Sequence, residues 1–449
     1  MTADLLYSET ERDLAAALTG LLSDKAAPAD VIARTERSET YDTKLWRTLA
    51  AEIGIAGLLI PEALGGAGAS YRELATAAEQ FGASVAPVPY LGSAAVATAA
   101  LLSAARSASR TSGIAAGEGG QGSAAGPAGG LSADDPGGFG SASSGPAAAL
   151  RAAQLRAAAR TPATGATSAT PASRVPPAAG LLRQLADGSL TAALAVTVTT
   201  RPGGPFPGLV RVAGQGDAAS GTVKLRGAVP AVADALTADV LLVPADGVPS
   251  ALYLVEVTAP GVHRTPLVSL DMTRQLCDIT LDGASARQVA VGDAARDAVR
   301  AGLLAGAAVI AAEQLGLAQR CLDLTVAYVK ERRQFARPIG SFQAVKHRLA
   351  DQWTAITLAR AASRYAAACL ADGDPDAPVA VALAKSACCE AAVLAAEECV
   401  QLHGGIGFTW EHPAHLYLKR AKAASVAYGT PGAHRAALAD LVNLPSPDA

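Results

Sequence analysis

At residues 331–347 the chain reads ERRQFARPIGSFQAVKH, and this stretch decides the fold. Before it, apolar residues recur at three- and four-residue steps from Ala311 to Val329, which predicts a long helix. Arg332 then lies where this helix ends and a loop begins. Its planar guanidinium could hold a pyrophosphate through two parallel hydrogen bonds, which makes the loop after this predicted helix a candidate for phosphate binding.

A second stretch, QLHGGIGFT, follows at residues 401–409. Two prolines separate a predicted helix that ends near Asp372 from another that runs to His403. Gly404 and Gly405 can cap the second helix at its C-terminus. Because these glycines have no side chains, their backbone N–H groups can also approach a dinucleotide closely.

The composition limits the classes of function. A chain of 449 residues has room for roughly two to four domains, and its low aromatic content of 4% beside abundant alanine favours packed helices. The formal net charge of −3 provides no broad basic surface, so nucleic acid is not expected as a partner. The acidic amino end argues against a signal peptide, and no uninterrupted apolar run reaches about 18 residues, so we expect a cytoplasmic protein without a membrane span.

Helical patterns occupy both ends of the chain. Residues 1–102 predict an N-terminal helical domain, because Leu14, Leu18 and Leu21 recur at helical spacing. Residues 291–449 carry the long helices described above and predict a C-terminal helical bundle.

The middle of the chain has a different texture. Residues 103–179 are rich in Ala, Gly, Ser and Pro with few large apolar residues, so we expect a largely disordered insertion with a short helix near residues 150–159. Residues 180–290 contain short apolar runs bounded by Gly, Pro and Asp, which predict a compact domain of short antiparallel strands. The predicted fold class is therefore mainly α with a central β domain.

Both quoted stretches closely resemble signature segments of acyl-CoA dehydrogenases, and the proline-glycine loop at residues 61–68 resembles the same family. The resemblance spans most of the chain outside the insertion. It implies the family's fold, which is an N-terminal helical domain, a middle β-barrel-like domain and a C-terminal four-helix bundle. It also implies that the chain uses FAD, desaturates an acyl-CoA or another acyl thioester between its α- and β-carbons, and works with a separate electron acceptor.

The resemblance further implies a FAD site that two subunits share, within a homo- or hetero-tetramer built as a pair of dimers. In the family, the arginine equivalent to Arg332 holds the pyrophosphate of the neighbouring subunit's FAD. Phe335 would pack beside it, Gln343 would bond the cofactor from the next helix, and Gln401 would complete the contact. The predicted FAD-binding residues are Arg332, Gln334, Phe335, Phe342, Gln343, Gln401, Leu402, His403, Gly404, Gly405 and Thr430.

The sequence departs from the family where the catalytic base should stand. Most members place a glutamate just before a Gly-Thr pair near the carboxyl end, to remove the substrate's α-proton. Here that position is Tyr428, and a phenol with a pKa of about 10 is a poor base at neutral pH. A minority of members place the glutamate on an earlier helix, where this chain has Gly306. Glu313 lies two turns further, about 10 Å by helix rise, and would serve only in a different register, so no catalytic residue is assigned.

The middle domain departs as well. Where the family shows Thr-Glu-Pro followed by Gly-Ser-Asp, residues 197–202 read TVTTRP, which weighs against a complete flavin half-site of its own. With these residues missing, the chain resembles the base-lacking subunits of heteromeric acyl-CoA dehydrogenases. Those enzymes act on bulky substrates, including steroid side-chain thioesters. Two alternatives stand beside this hypothesis: a self-sufficient dehydrogenase or oxidase with a relocated base, and a non-catalytic assembly scaffold.

Each candidate residue also has a simpler explanation. Arg332 could serve only the helix dipole, and Gly404 with Gly405 only the helix cap. The phenylalanines at 335, 342 and 408 could be ordinary core residues. Cys399 and His403 lie one helical turn apart, but no second pair completes a metal site, so no metal is predicted and the six cysteines are interpreted as reduced core residues.

Overall fold

The computed structural model describes residues 4–37, 39, 41–117, 178–216 and 221–445. The predicted short helix near residues 150–159 and most of the predicted insertion lie outside these residues. In the described part, helices flank a central group of strands. The predicted fold class, mainly α with a central β domain, is confirmed.

The N-terminal helices begin at serines that cap them. The Ser8 hydroxyl accepts a hydrogen bond from the backbone of Glu11, and the Glu11 carboxylate accepts one from the backbone of Ser8. Ser70 and Glu73 form the same reciprocal cap at the start of a later helix. The helices of this part are α1 (Glu9–Lys25), α2 (Pro28–Thr35), α3 (Thr43–Thr48), α4 (Tyr71–Ser84), α5 (Thr98–Gly117) and α6 (Ala178–Ala186), with π-helical turns at Leu49–Ile53 and Tyr90–Ala97.

The central strands form a sheet that closes on itself. The strands are β1 (Ala192–Leu194), β2 (Val210–Gln215), β3 (Thr222–Ala233), β4 (Val240–Asp246), β5 (Ala251–Glu256), β6 (Val262–Leu267) and β7 (Leu276–Val291). β4 pairs with β2 on one side and β5 on the other, and β3 and β7 complete the ring. The predicted pattern of short antiparallel strands is wrong in two respects: β4 runs parallel to β1 and β2, and β7 is 16 residues long.

Strand β4 shows why the sequence did not reveal this topology. Leu241 and Val243 point into the barrel, whereas Val240 and Leu242 belong to the core shared with the helices. A strand buried on both faces is apolar at every position, so it lacks the alternation that marks a one-sided antiparallel strand.

The C-terminal part is a bundle of long helices. Its helices are α7 (Asp293–Glu331), α8 (Gln343–Asp372), α9 (Ala377–His403), α10 (Ala414–Val426) and α11 (Pro431–Leu441), and a small hairpin of β8 (Arg333–Gln334) and β9 (Arg337–Pro338) lies between α7 and α8. The predicted ends of α8 at Asp372 and of α9 at His403 are confirmed. Gly373 ends α8 with φ of +64°, a conformation that favours glycine.

Three helical stretches are long and apolar enough to cross a membrane by length and composition: Tyr90–Ser109, Asp293–Glu331 and Ala377–Phe408. The apolar windows in them are 67%, 83% and 67% buried inside the fold, in that order. Charged and polar residues interrupt the apolar runs in all three stretches, so none is uninterrupted over about 18 residues.

Candidate functional site

The structure brings the two quoted stretches to the same end of the helical bundle. The Tyr328 ring at the end of α7 stacks on the His403 ring at the end of α9, with 4.4 Å between ring centroids. Arg332 and Gly404 follow directly on these two helix ends. The predicted phosphate-binding loop and the glycine pair are therefore neighbours.

Arg332 forms the C-cap of α7, as predicted. Its backbone N–H donates to the Tyr328 carbonyl at 2.9 Å, and its carbonyl accepts from the Ile339 N–H at 2.8 Å, which closes the β8–β9 loop. The side chain is exposed, and its guanidinium has no hydrogen-bond or ion-pair partner within the described ranges. An arginine held at its backbone with a free guanidinium is able to bind an anion from outside the chain.

Three aromatic rings frame this end of the bundle. Phe335 is 88% exposed with φ of +51°. Its ring and the Phe342 ring form an edge-to-face pair with 6.2 Å between the ring centroids. The Arg337 guanidinium lies 3.9 Å over the Phe342 ring. Phe408 is 82% exposed. The explanation as core aromatics is therefore wrong for Phe335 and Phe408, because these rings lie on the surface.

The glycine pair leaves open space in front of the backbone. Gly404 caps α9 with φ of +63°, and its N–H donates to the Gln401 carbonyl. A Cβ atom built on Gly404 or Gly405 would meet nothing within 4 Å. The side chains of Gln401 and Gln343 are exposed beside it. An exposed arginine next to an open stretch of backbone fits a phosphate-bearing cofactor such as FAD.

Other predicted residues have different surroundings. The His403 ring is buried between Tyr328 and His412, so it supports the glycine pair from below instead of facing the open surface. Leu402 is half-buried, and the Gln334 side-chain amide donates to the Arg333 carbonyl.

Thr430 lies in a different region of the chain. It caps α11 by accepting from the Ala433 N–H, and the preceding Gly429 carbonyl accepts from Lys385 Nζ at 3.0 Å. Lys385 precedes His403 by 18 residues on α9, a distance of about 27 Å by helix rise. Thr430 is therefore remote from Arg332 and Gly404 within one chain, because α9 separates them by most of its length.

That second region contains Tyr428 and Gly306, the two positions that the sequence resemblance assigns to the family's base. Tyr428 is only 3% exposed, and a Cβ atom built on Gly306 would lie 2.9 Å from its ring. The Tyr428 N–H donates to the Val198 carbonyl at 2.7 Å. A Cβ atom on Gly429 would meet Arg201, so the divergent loop at residues 197–202 packs on this turn. Tyr428 and Gly306 therefore lie in contact.

Two residues that the sequence did not single out hold the Tyr428 turn. Lys385 is fully buried and donates to the carbonyls of Ala424, Ser425 and Gly429. His434 Nε2 lies 2.8 Å from the Tyr428 carbonyl, and because a carbonyl only accepts, Nε2 carries the hydrogen. Burial lowers the pKa of His434 to about 4 despite this bond. A lysine and a histidine inside helices carry no sequence signal for such roles.

Glu313, the alternative base, is engaged by two arginines. Its carboxylate accepts from Arg274 at 2.5 Å and from Arg420 at 3.0 Å on each oxygen. Burial acts to raise the pKa of Glu313, but the charges of Arg274 and Arg420 outweigh it and hold the pKa below its usual value. These contacts describe a structural ion cluster, because a carboxylate with both oxygens occupied is a weak proton acceptor.

The cysteines are buried and none forms a disulfide. Cys399 and His403 face each other with Sγ and Nδ1 3.7 Å apart, while Nδ1 lies 2.6 Å from the Cys399 carbonyl. Nδ1 therefore carries a hydrogen and is not available as a metal ligand. Among the described residues, no group of three His, Cys, Asp or Glu side chains could hold a metal ion.

Comparisons with known proteins agree with this geometry. Residues 8–111 match the acyl-CoA dehydrogenase N-terminal domain, and residues 296–442 match the acyl-CoA dehydrogenase C-terminal domain. Acyl-CoA dehydrogenase IpdE2 of Mycobacterium tuberculosis (strain ATCC 25618 / H37Rv) is 30% identical over 413 residues, which cover 92% of this chain and 91% of that protein.

Two solved structures share the fold over almost the whole chain. The ChsE4-ChsE5 complex of Mycobacterium tuberculosis has a TM-score of 0.72 at 26% identity and covers 99% of this chain and 100% of that chain. A variant of the Tcur3481-Tcur3483 steroid ACAD has a TM-score of 0.70 at 27% identity and covers 97% and 98%. With both family domains matched and a relative aligned over nearly its full length, this chain belongs to the acyl-CoA dehydrogenase family, whose members act on the CH–CH bond of acyl-CoA substrates.

Proposed function

We propose that this chain is a cytoplasmic, base-lacking subunit of a heteromeric acyl-CoA dehydrogenase that shares FAD with a partner subunit. One observation carries the proposal. Tyr428 and Gly306, which the sequence resemblance assigns to the two positions of the family's glutamate, pack directly against each other and supply no carboxylate. The bulky acyl thioester of a steroid side chain is the proposed substrate class, as the named steroid ACAD relative suggests.

The proposed contribution of this chain is to hold the partner's cofactor. FAD, when bound, supplies the group that accepts a hydride from the substrate's β-carbon. The free Arg332 guanidinium would bind a phosphate of the cofactor, and the open backbone at Gly404 and Gly405 would let its N–H groups approach. Gln343 and Gln401 would donate hydrogen bonds, and Phe335 would cover the cofactor from the side.

Among the described residues, Tyr428 at this chain's own half-site is not a proton acceptor suited to neutral pH. Burial raises the pKa of Tyr428 far above its usual value, the charge of Asp234 raises it further, and Arg274 opposes this only in part. The partner subunit must therefore provide the base that removes the α-proton. The electrons would pass to a separate acceptor, as in other members of the family.

The first test is the visible spectrum of the protein, purified alone and then co-expressed with an acyl-CoA dehydrogenase subunit encoded beside it. We expect flavin absorption at about 450 nm, and its bleaching by acyl-CoA, only in the presence of the partner. A lone chain that is yellow and bleaches fully would favour the self-sufficient enzyme. A pair that assembles without flavin would favour the scaffold.

A matched pair of variants sharpens this test. Arg332→Gln removes the proposed phosphate ligand, whereas Arg333→Gln removes an equally exposed charge one residue further along the loop. In the co-purified pair, we expect Arg332→Gln to lower flavin occupancy at least about tenfold, the loss typical of a charge-assisted bidentate contact. Arg333→Gln should stay close to the parent. Equal occupancy in both variants would contradict the role assigned to Arg332.

A further inference from the structure

The ring of Tyr428 lies against the surface of α7 at a position that permits no side chain. A Cβ atom on Gly306 would lie 2.9 Å from Cε2 and 3.0 Å from Cζ of this ring, and also 3.0 Å from a methyl group of Val96. The neighbouring residues Ala305 and Ala307 are fully buried. The ring therefore fills a space bounded by the glycine face of α7 and the π-helical turn Tyr90–Ala97.

The backbone holds the ring there in an unfavourable conformation. Tyr428 has φ of +52°, a left-handed conformation that a side chain rarely adopts, and Gly429 follows with φ of +102°. Val198, His434 and Lys385 each bond this turn through its N–H or carbonyl groups. Three hydrogen-bonding partners hold Tyr428 in this strained conformation. Such strain indicates that the position of the ring has a role beyond linking two helices.

The surroundings of the Tyr428 hydroxyl indicate which kind of molecule could occupy this space if the ring were absent. Asp234 and Arg274 are the charged groups that act on the Tyr428 hydroxyl. Arg274 is only 5% exposed, and its Nη1 atom has no hydrogen-bond partner among the residues that the structure describes. Apolar walls with a spare buried donor nearby suit an apolar group that carries one carbonyl oxygen, as an acyl thioester does.

We propose that Tyr428 is an internal plug that closes this chain's own acyl-binding space, so that removing its ring opens a site for an apolar group beside Gly306. The inference rests on the proposed function, because it explains how a subunit without a base also avoids binding substrate unproductively. It adds that the closure is steric and comes from one side chain.

The contact between ring and glycine is tested by a double-mutant cycle on the chain alone. Gly306→Ala should lower the melting temperature by several degrees in the parent, because the new Cβ collides with the ring. In a Tyr428→Ala background the same substitution should lower the melting temperature clearly less, since the contact with the ring is gone and only the Val96 methyl group remains close. An equal loss in both backgrounds would overturn the plug.

The opened space is tested with p-cresol, which has the shape of the removed side chain. We expect p-cresol to raise the melting temperature of Tyr428→Ala and not that of Tyr428→Phe, in which the ring remains. Tyr428→Leu replaces the ring with a smaller aliphatic side chain and gives the same contrast if the alanine variant does not fold. A folded alanine or leucine variant with no stabilisation by p-cresol would refute the opened site.

The acyl class is tested with the unreactive thioether hexyl-CoA, by calorimetry on the same variants. We expect Tyr428→Ala or Tyr428→Leu to gain binding at least tenfold over the parent and over Tyr428→Phe. No gain in a variant that does respond to p-cresol would refute the acyl assignment. None of these measurements needs flavin or a partner, so their failure is separate from a failure of the flavin-sharing proposal, which the spectrum of the co-expressed pair tests.

Discussion

Glu79 and Glu11 show how the same residue type takes opposite proton affinities in neighbouring surroundings. Glu11 accepts hydrogen bonds from Arg72 and Arg364, which outweigh its burial and lower its pKa. Within the described part of the chain, Glu79 accepts hydrogen bonds from the Tyr7 hydroxyl alone, at 2.9 and 2.7 Å, and burial raises its pKa to about 7. The difference arises because a neutral hydroxyl compensates a buried carboxylate far less than two guanidinium groups do.

The raised pKa of Glu79 predicts a pH dependence of stability. The pKa of Glu79 is 4.5 in the unfolded chain and about 7 in the folded protein. Between these two pH values the folded protein binds a proton that the unfolded chain has released, so the free energy of unfolding falls as the pH rises through this window. Glu79→Gln keeps the acceptor for Tyr7 and should remove this loss, about 2–3 kcal/mol at pH 8 and close to zero at pH 4.5. Urea unfolding at both pH values measures it. A gain of equal size at both would contradict the raised pKa.

At the scale of elements, α4 and α7 cross with their backbones in contact. A Cβ atom on Gly82 would lie 1.8 Å from the Glu313 carbonyl oxygen, and a Cβ atom on Gly316 would lie 1.8 Å from the Glu79 carbonyl oxygen. The two glycines thus occupy reciprocal positions across one contact. The two helices can approach this closely because neither position carries a side chain. The crossing packs the N-terminal helices against the C-terminal bundle.

Substitution at this crossing should be costly. Gly316→Ala places a methyl group against backbone that cannot move aside, so we expect a loss of at least about 3 kcal/mol in the free energy of unfolding. Gly20→Ala on α1 is the control, since its Cβ would meet nothing within 4 Å. It should gain about 0.5–1 kcal/mol from helix propensity. Chemical denaturation of both variants compares them directly, and a neutral Gly316→Ala would show that the helices can separate cheaply.

At the scale of the whole molecule, a buried charged cluster ties the three parts together. Tyr41 of the N-terminal helices bonds Asp234 of the β domain. Arg274 of the β domain bonds Glu313 on α7, and Arg420 on α10 bonds the same Glu313. These groups are almost fully buried, so each depends on partners contributed by another part of the chain.

Breaking this cluster should destabilise the whole fold. Arg420→Met leaves Asp271 without its ion-pair partner and Glu313 with Arg274 alone in the interior, and we expect a loss of about 3–5 kcal/mol in the free energy of unfolding. Arg435→Met is the matched control, because its ion pair with Glu390 is exposed and should contribute less than about 1 kcal/mol. Calorimetric melting measures both losses. Similar losses in the two variants would mean that the buried cluster does not join the parts.

The sequence predicted those features that follow from local chemistry. The ends of α8 and α9 were predictable from prolines and glycines, because these residues restrict the backbone wherever they occur. Arg332 at a helix end was predictable for the same reason. The exposure of Phe335 and Phe408 was not predictable, since a phenylalanine carries no signal in the sequence of whether tertiary packing will cover its ring.

The sequence by itself determined the mainly helical class, the family and the two stretches that meet at one end of the bundle. Only the tertiary structure decided that the barrel has parallel pairs, that Lys385 and His434 hold the Tyr428 turn, and that Tyr428 packs on Gly306. The reason is physical. These contacts join residues far apart in the chain, and their energies depend on burial and distance, which no local pattern encodes.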